Sequence, residues 1–174
     1  MARIRLREWR AADAIAITPM LEDPEIVKWS HLTDLGVERW IAGQREGRRG
    51  PSLAVCRPED DELLGKVALR LPGRASPATT CDAIALGDKP AGELSYWVLP
   101  HARGRGVATA AVLAMLEQAR GLGGMRSVVL DIEIDNLASI RVAERVGAIR
   151  REPTRVEHDR HGVPRTLAVF VARL

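Results

Sequence analysis

The chain has 174 residues, a length suited to one domain with a sizeable hydrophobic core. Hydrophobic residues make up 46% and charged residues 28%, proportions typical of a soluble globular protein. The net charge of +3 comes from arginines spread along the chain, without basic helices or interleaved aromatics, so a nucleic-acid partner is not favoured.

No apolar run approaches the roughly 20 residues that cross a bilayer, and the first residues lack the apolar block of a signal peptide. Cys56 and Cys81 have no metal-ligand spacing and are expected to be reduced. We therefore expect a cytoplasmic protein without metal or membrane partners.

The first half of the chain predicts short elements. Residues 3–7 alternate polar and apolar side chains, which is typical of a half-buried strand. A helix is predicted over 11–21, disturbed near Pro19, and a second helix after a cap at Thr33 or Asp34. Strands follow at 51–56 and 63–71. Residues 72–92 carry little pattern, and neither their role nor a short strand within them is assigned.

The second half has a clearer pattern. It predicts a strand over 93–99, a helix over 107–120, an alternating strand over 127–135, a short helix over 136–146 and a closing strand over 166–174. Strands that alternate with helices indicate an α/β (α+β) fold. With no repeat or linker, residues 1–174 are predicted to form a single domain.

A glycine-containing loop separates the 93–99 strand from the 107–120 helix. It has the sequence Arg103-Gly104-Arg105-Gly106-Val107-Ala108. The first N–H groups of a helix are unpaired and partly positive, and glycines let the backbone approach an anion closely. The loop therefore predicts a diphosphate site. The alternative is that the two glycines only form a tight turn beside a solvated basic loop.

A second motif follows at Asn136-x-x-Ser139, continuing through Glu144 to Gly147. Together with Arg-x-x-Gly-x-Ala at 103–108, it resembles the GNAT superfamily of N-acetyltransferases. The order and content of the motifs, including residues 4–9, 21–29 and 92–98, are similar to the branch of ribosomal-protein alanine N-acetyltransferases.

The resemblance implies a GNAT fold: a central, mixed, mostly antiparallel sheet of six to seven strands, flanked by about four helices. Two parallel strands, 93–99 and 127–135, would splay into a V that holds acetyl-CoA. A bulge in the first would free backbone groups of Trp97, Val98 and Leu99 for the pantetheine arm.

The remaining donor-binding positions implied by the resemblance are at the helix starts. The pyrophosphate would lie on the loop and first helical turn, and the thioester end beside the second motif. These residues are Arg103, Gly104, Arg105, Gly106, Val107, Ala108, Thr109, Asn136, Ser139 and Arg141.

For catalysis, Glu93 is the favoured base, acting through a water, with Glu157 and His158 as alternatives. A free N–H near Val98 is the candidate oxyanion donor. Many members of the superfamily have a tyrosine as general acid where this chain has Ala143. Ser139 or water is then the predicted proton source, and the general acid is left open.

The implied activity is transfer of an acetyl group from acetyl-CoA to a primary amine of a protein N-terminus or a small molecule, by direct attack in a ternary complex. The acceptor would contact residues 29–35, the helix near Trp40, the 72–92 loop and an irregular segment at 152–164. A catalytically inactive acyl-CoA-binding or regulatory module is the alternative. The sequence does not distinguish acetyl from larger acyl donors, or a monomer from a homodimer.

Overall fold

The computed structural model describes residues 2–27, 36–73, 91–159 and 161–174. The elements in chain order are strand β1 (Arg5–Arg7), helix α1 (Asp13–Ile17), a 3₁₀ helix (Thr18–Glu22), α2 (Pro24–Val27), α3 (Val37–Glu46), β2 (Ser52–Cys56), β3 (Leu63–Arg70), β4 (Gly92–Val98), a 3₁₀ turn (Pro100–Ala102), α4 (Val107–Leu122), β5 (Ser127–Glu133), α5 (Leu137–Arg145), β6 (Ile149–His158) and β7 (Pro164–Arg173).

The strands form one seven-stranded sheet in the order β1-β2-β3-β4-β5-β7-β6. Every neighbouring pair is antiparallel except β4 and β5, which are parallel. The predicted mixed, mostly antiparallel sheet is confirmed. In the described part of the chain, four α-helices of five or more residues flank it, as predicted.

The two faces of the sheet carry separate hydrophobic layers because side chains alternate along each strand. On one face, Val67, Leu69 and Leu130 pack with the inward side of α4. On the other, Trp9 and Trp40 pack with residues of α1 and the 3₁₀ helix. Helices therefore pack on both faces of the sheet.

Helix α4 extends over 16 residues because its apolar positions recur at helical spacing, and it ends at Gly123, which has a left-handed φ of 65°. The helix predicted over 11–21 is shorter than expected. Its α-helical part ends at Ile17, and the chain continues as a 3₁₀ helix through Pro19, which lacks an N–H for the α-helical ladder.

The prediction that residues 152–164 are irregular is wrong, because most of them are in strands. Strand β6 runs from Ile149 to His158, and β7 begins at Pro164. The sheet ends at β6, whose register to β7 shifts between Arg151 and Arg155. An edge strand tolerates Pro153 and many charged side chains, so its sequence lacks the alternation used for prediction. The predicted acceptor segments 29–35 and 74–90 lie outside the described residues, as does Cys81.

Candidate active site

Strands β4 and β5 are paired at one end only. Gly92 is opposite Val128 and Glu93 is opposite Val129, and no further pair follows. Beyond that point β5 continues along β7 as far as Glu133. The divergence opens a cleft of about 1420 Å³ beside both strands and the starts of α4 and α5. The predicted V between two parallel strands is therefore present.

The prediction of a bulge in β4 is wrong, and the divergence of β5 alone frees the backbone groups that face this cleft. The β3–β4 register runs without a shift from Gly65 opposite Val98 to Arg70 opposite Glu93. The N–H of Leu99 donates to the carbonyl of Leu64 at 2.8 Å. Because an antiparallel ladder alternates, the N–H of Val98 is directed away from β3 and toward the gap.

Leu99 does not line the cleft. Its side chain is buried in the core layer that contains Trp9 and Trp40, whereas Trp97 and Val98 both contribute to the cleft wall. The Val98 carbonyl accepts a hydrogen bond from Nε of Arg103 at 3.0 Å. Arg103 also forms an ion pair with Asp23, so its guanidinium connects β4 to the α2 region.

The loop before α4 leaves the first backbone N–H groups of that helix without a side-chain cap. Gly104 and Gly106 have φ angles of 74° and 78°, a left-handed conformation that strains residues with a side chain. Gly106 is the N-cap, and no side chain bonds to the first turn. The first helical hydrogen bond joins the N–H of Ala110 to the carbonyl of Gly106.

The N–H groups of Val107, Ala108 and Thr109 thus precede the helical ladder, and all three residues line the cleft. Arg103, Gly104 and Gly106 line it too. Arg105 is exposed and lies outside the cleft wall.

At the opposite wall, Asn136 caps α5. Its Oδ1 accepts from the N–H of Ser139 at 3.0 Å, so the side chain stabilises the helix start. Asn136, Ser139 and Arg141 all line the cleft, as predicted for a common site. Ala143 is fully buried, one helical turn after Ser139.

Tyr96 of β4, which the sequence pattern does not single out, also lines the cleft. Its hydroxyl lies 3.4 Å from the carbonyl of Ser139, a long contact for a hydrogen bond. Burial raises the pKa of its phenol above the ordinary value, opposed by the contact with Ser139. It is the single tyrosine of the chain, and its position on β4 carries no sequence signal of this contact.

Glu93 lies on the face of β4 opposite to Tyr96, by strand alternation. Its Oε2 accepts from Nη1 of Arg70 at 2.8 Å, and both side chains are largely shielded from water. Both residues line the cleft. The predicted base is therefore held by a cation on the neighbouring strand.

Three more charged residues form a cluster in the part of the cleft wall made by β5 and β6. Arg155 of β6 is ion-paired with Asp131 of β5 and with Glu157, whose Oε1 is 3.1 Å away. Burial raises the pKa of Asp131 to about 7; the charge of Arg155 opposes this, and the charges of Glu93 and Glu157 add to it. Glu157, an alternative base, thus belongs to the cleft, whereas His158 is exposed and outside its wall.

Asp131 was missed because its alternating strand suggested a solvated polar face. The signal that could have found it is the strand's central position, since a central strand is covered on both faces.

Lys66 of β3 also contributes a charged side chain to the cleft wall, and no motif in the sequence marks it. Its Nζ lies 5.7 Å from the centroid of the Trp40 ring. Burial lowers the pKa of its ammonium group to about 8; the charge of Arg70 adds to this and that of Glu93 opposes it.

Within the described residues, no group of three or more His, Cys, Asp or Glu side chains is placed to hold a metal ion. Over the same part of the chain, no helix has the length and hydrophobicity needed to cross a bilayer.

Solved structures with this fold are numerous, although their sequences have diverged from the chain. A Vibrio cholerae protein proposed to be a ribosomal-protein-serine acetyltransferase is 19% identical, with a TM-score of 0.75 over 100% of this chain and 95% of that one. A GNAT-family acetyltransferase from Bacillus anthracis is 16% identical, with a TM-score of 0.76 over 98% and 95%. The Salmonella typhimurium protein yncA, proposed to be an acetyltransferase and solved with its cofactor acetyl-CoA, is 21% identical, with a TM-score of 0.69 over 98% and 94%. No curated protein matches the chain in sequence.

A sequence model of the acetyltransferase (GNAT) domain matches residues 3–149, which is most of the chain. The match confirms the predicted superfamily and the predicted class of activity, acetyl transfer from acetyl-CoA. It extends over the splayed strands, the glycine loop and the capped helix α5 that form the cleft. The chain therefore belongs to the GNAT acetyltransferase family.

Proposed function

We propose that this single-domain protein transfers an acetyl group from acetyl-CoA to a primary amine, by direct attack while both substrates occupy the cleft. The observation that carries the proposal is that the uncapped first turn of α4 opens into the same cleft as the gap between β4 and β5. One wall is thus suited to a diphosphate, and the other offers backbone groups to an extended amide-containing arm.

In the donor half of the cleft, separate groups of residues are proposed to bind separate parts of coenzyme A. The N–H groups of the first α4 turn would bind the pyrophosphate, with Gly104 and Gly106 allowing its close approach. Backbone groups of Val98 would bond the pantetheine arm, whereas those of Trp97 face β3 by the same alternation, so its predicted backbone contact is not kept. Ser139 would lie near the thioester, and Asn136 would act mainly by holding the start of α5. Arg141 would add charge for the coenzyme's phosphates.

Bound acetyl-CoA supplies an activated acyl group, and the chain supplies the donors and the base. The N–H of Val98 is directed at the gap, where it can stabilise an oxyanion. Glu93 remains the proposed base, acting through a water on the acceptor's ammonium group. Asp131 is a second candidate base, because its pKa of about 7 suits proton transfer at neutral pH.

For the leaving thiolate we propose Tyr96 as the proton donor, in addition to Ser139 or water. The usual tyrosine position on the helix is Ala143, and Tyr96 brings a phenol to the preceding turn of the same helix from β4. Its raised pKa keeps the phenol protonated at neutral pH, as a general acid requires.

The acceptor half carries Glu93, Asp131 and Glu157, whose oxygens can accept hydrogen bonds from an amine while Arg70 and Arg155 offset their charge. This supports an amine acceptor of the kind found at a protein N-terminus or on a small molecule. A protein acceptor agrees with the sequence likeness to ribosomal-protein alanine acetyltransferases and with the Vibrio cholerae neighbour.

The test combines binding with turnover. Saturating acetyl-CoA is expected to raise the melting temperature, since a ligand of the folded state stabilises it. A panel of N-terminal peptides and small amines should then include acceptors that release the coenzyme A thiol. A shift without thiol release from any amine would favour an acyl-CoA-binding module. Absence of a shift with any acyl-CoA would contradict the proposal.

A further inference from the structure

Lys66 lies where an amine acceptor is proposed to bind. In the β3–β4 ladder it is opposite Trp97, one residue before Val98. The burial of β3 alternates: Val67 and Leu69 are fully buried in the helix-covered layer, whereas Lys66 and Arg70 line the cleft from the other face. Its amine is therefore on the same side of the sheet as Glu93.

The ammonium group has no ion pair or hydrogen bond among the residues that the structure describes; its close contact is the Trp40 ring. The carboxylate of Glu93 is instead bonded to Arg70. Lysine in such a place is both partly desolvated and mobile, since four methylene groups carry its nitrogen. The amine can thus move toward the gap between β4 and β5 without breaking a bond to another side chain.

Burial, together with the charges around Lys66, sets how much of its amine is neutral. Arg70 is on its own strand, Glu93 is on β4, and Arg48 and Arg49 line the cleft from the α3–β2 connection. Burial and the neighbouring Arg70 lower the pKa of the Lys66 ammonium group to about 8. The Lys66 amine is then neutral in about a tenth of the molecules at pH 7 and in about half at pH 8, whereas an exposed lysine is almost fully charged.

We propose that Lys66 is an acetylation site of the enzyme itself, modified by acetyl-CoA bound in its own cleft. The neutral Nζ attacks the thioester carbonyl carbon, a C–N bond forms, the C–S bond breaks, and the proton lost from nitrogen passes through solvent to the coenzyme A thiolate. No other reactant is needed. This inference rests on the proposed donor site, and it adds an internal acceptor to that function.

Acetylation of Lys66 would remove its charge and fill part of the acceptor half of the cleft. An external amine therefore competes with Lys66 for the acetyl group, and the modified enzyme should turn over external acceptors more slowly. Acetylation of Lys66 would thus lower the activity of the enzyme when acetyl-CoA stays bound for a long time without an acceptor.

The experiment incubates the full chain with acetyl-CoA at pH 8 without an amine acceptor, followed by intact mass measurement and peptide mapping. Mapping is simple because Lys28, Lys66 and Lys89 are the lysines of the chain. We expect one acetyl group, located on Lys66, formed at least tenfold faster than in heat-denatured protein. The rate should rise between pH 7 and pH 9.

Two variants separate the outcomes. Lys66→Arg should lose at least nine-tenths of the incorporation, and the double variant Lys28→Arg/Lys89→Arg should keep it. If Lys66→Arg does not fold, mapping of the unmodified chain still locates the acetyl group. Acetyl-CoA binding and turnover of an external amine, without acetyl-Lys66, would overturn this inference alone. Absence of acetyl-CoA binding would overturn the proposed function with it.

Discussion

The carboxylate of Glu93 on β4 accepts from the guanidinium of Arg70 on β3 at 2.8 Å, immediately beside the point where β4 and β5 separate. This ion pair fixes the carboxylate at the narrow end of the cleft. Removing either side chain breaks this ion pair, but only removal of Glu93 also removes the carboxylate. Comparing the two variants therefore separates the role of Glu93 as a base from its structural role.

Replacing Glu93 by Gln should lower kcat about 100-fold, the scale of general-base catalysis, while leaving the acetyl-CoA Kd within twofold. Steady-state kinetics and calorimetric titration measure the two effects. Arg70→Gln is the matched control, because it breaks the ion pair but keeps the carboxylate, and it should retain most of the activity. Equal losses in both variants would show that Glu93 acts through structure, and would move the base role to Asp131 or Glu157.

The stability of the protein should decrease between about pH 4 and pH 7 because of Asp131. Its pKa in the folded state is about 7, raised by burial, whereas it is 3.8 in the unfolded chain. In this range the folded state holds a proton that the unfolded state has lost, so the free energy of unfolding falls as pH rises, by at most about 1.4 kcal/mol per pH unit.

Asp131→Asn should remove this contribution. Urea unfolding at intervals from pH 4 to pH 7 should give a less negative slope for the variant than for the unmodified chain. A slope that is the same in both would mean that Asp131 is ionised throughout this range.

Tyr96→Phe should lower kcat by about tenfold or more without changing the acetyl-CoA Kd, because it removes the proposed proton donor and keeps the ring. Since Tyr96 is the single tyrosine, ultraviolet difference titration reports its ionisation alone, and the midpoint should lie above about 10. Full activity in Tyr96→Phe would return the role to Ser139 or water.

Gly65→Ala should disturb the cleft from the neighbouring strand. A Cβ on Gly65 would lie 2.3 Å from the carbonyl oxygen of Trp97, so β4 has to shift where it bounds the cleft. We expect a loss of about 1–3 kcal/mol in the free energy of unfolding, together with weaker acetyl-CoA binding. Gly43→Ala is the control, since its Cβ meets no atom within 4 Å on α3. Wild-type stability in Gly65→Ala would contradict the close packing of β3 on β4.

The sequence was sufficient to predict that the residues of the proposed donor site line one cleft, because their placement depends on backbone. A strand end, two glycines and a helix start are visible in local patterns, and residues 104 and 106–109 indeed meet Asn136 and Ser139 in one cleft. Strand β6 was missed because an edge strand with Pro153 and many charges has no alternating pattern.

The acceptor half was less predictable because it is assembled by long-range pairing. Asp131 and Arg155 meet only because β7 lies between β5 and β6, and Tyr96 reaches Ser139 only because β4 lies beside α5. The pKa changes of Asp131 and Lys66 likewise follow from burial, which one strand's sequence does not determine.

The acetyl-CoA affinity of Gly106→Ala tests the central claim, that the α4 start binds the donor's diphosphate. Gly106 has a φ of 78°, and Gly124, beyond the far end of α4, has a φ of 81° with no atom within 4 Å of an added Cβ. Both alanine variants therefore carry a similar backbone strain of about 1–2 kcal/mol, and only one places a methyl group at the proposed diphosphate site. By titration calorimetry we predict at least a tenfold weaker Kd in Gly106→Ala and an unchanged Kd in Gly124→Ala. Equal affinities in the two variants would contradict the claim.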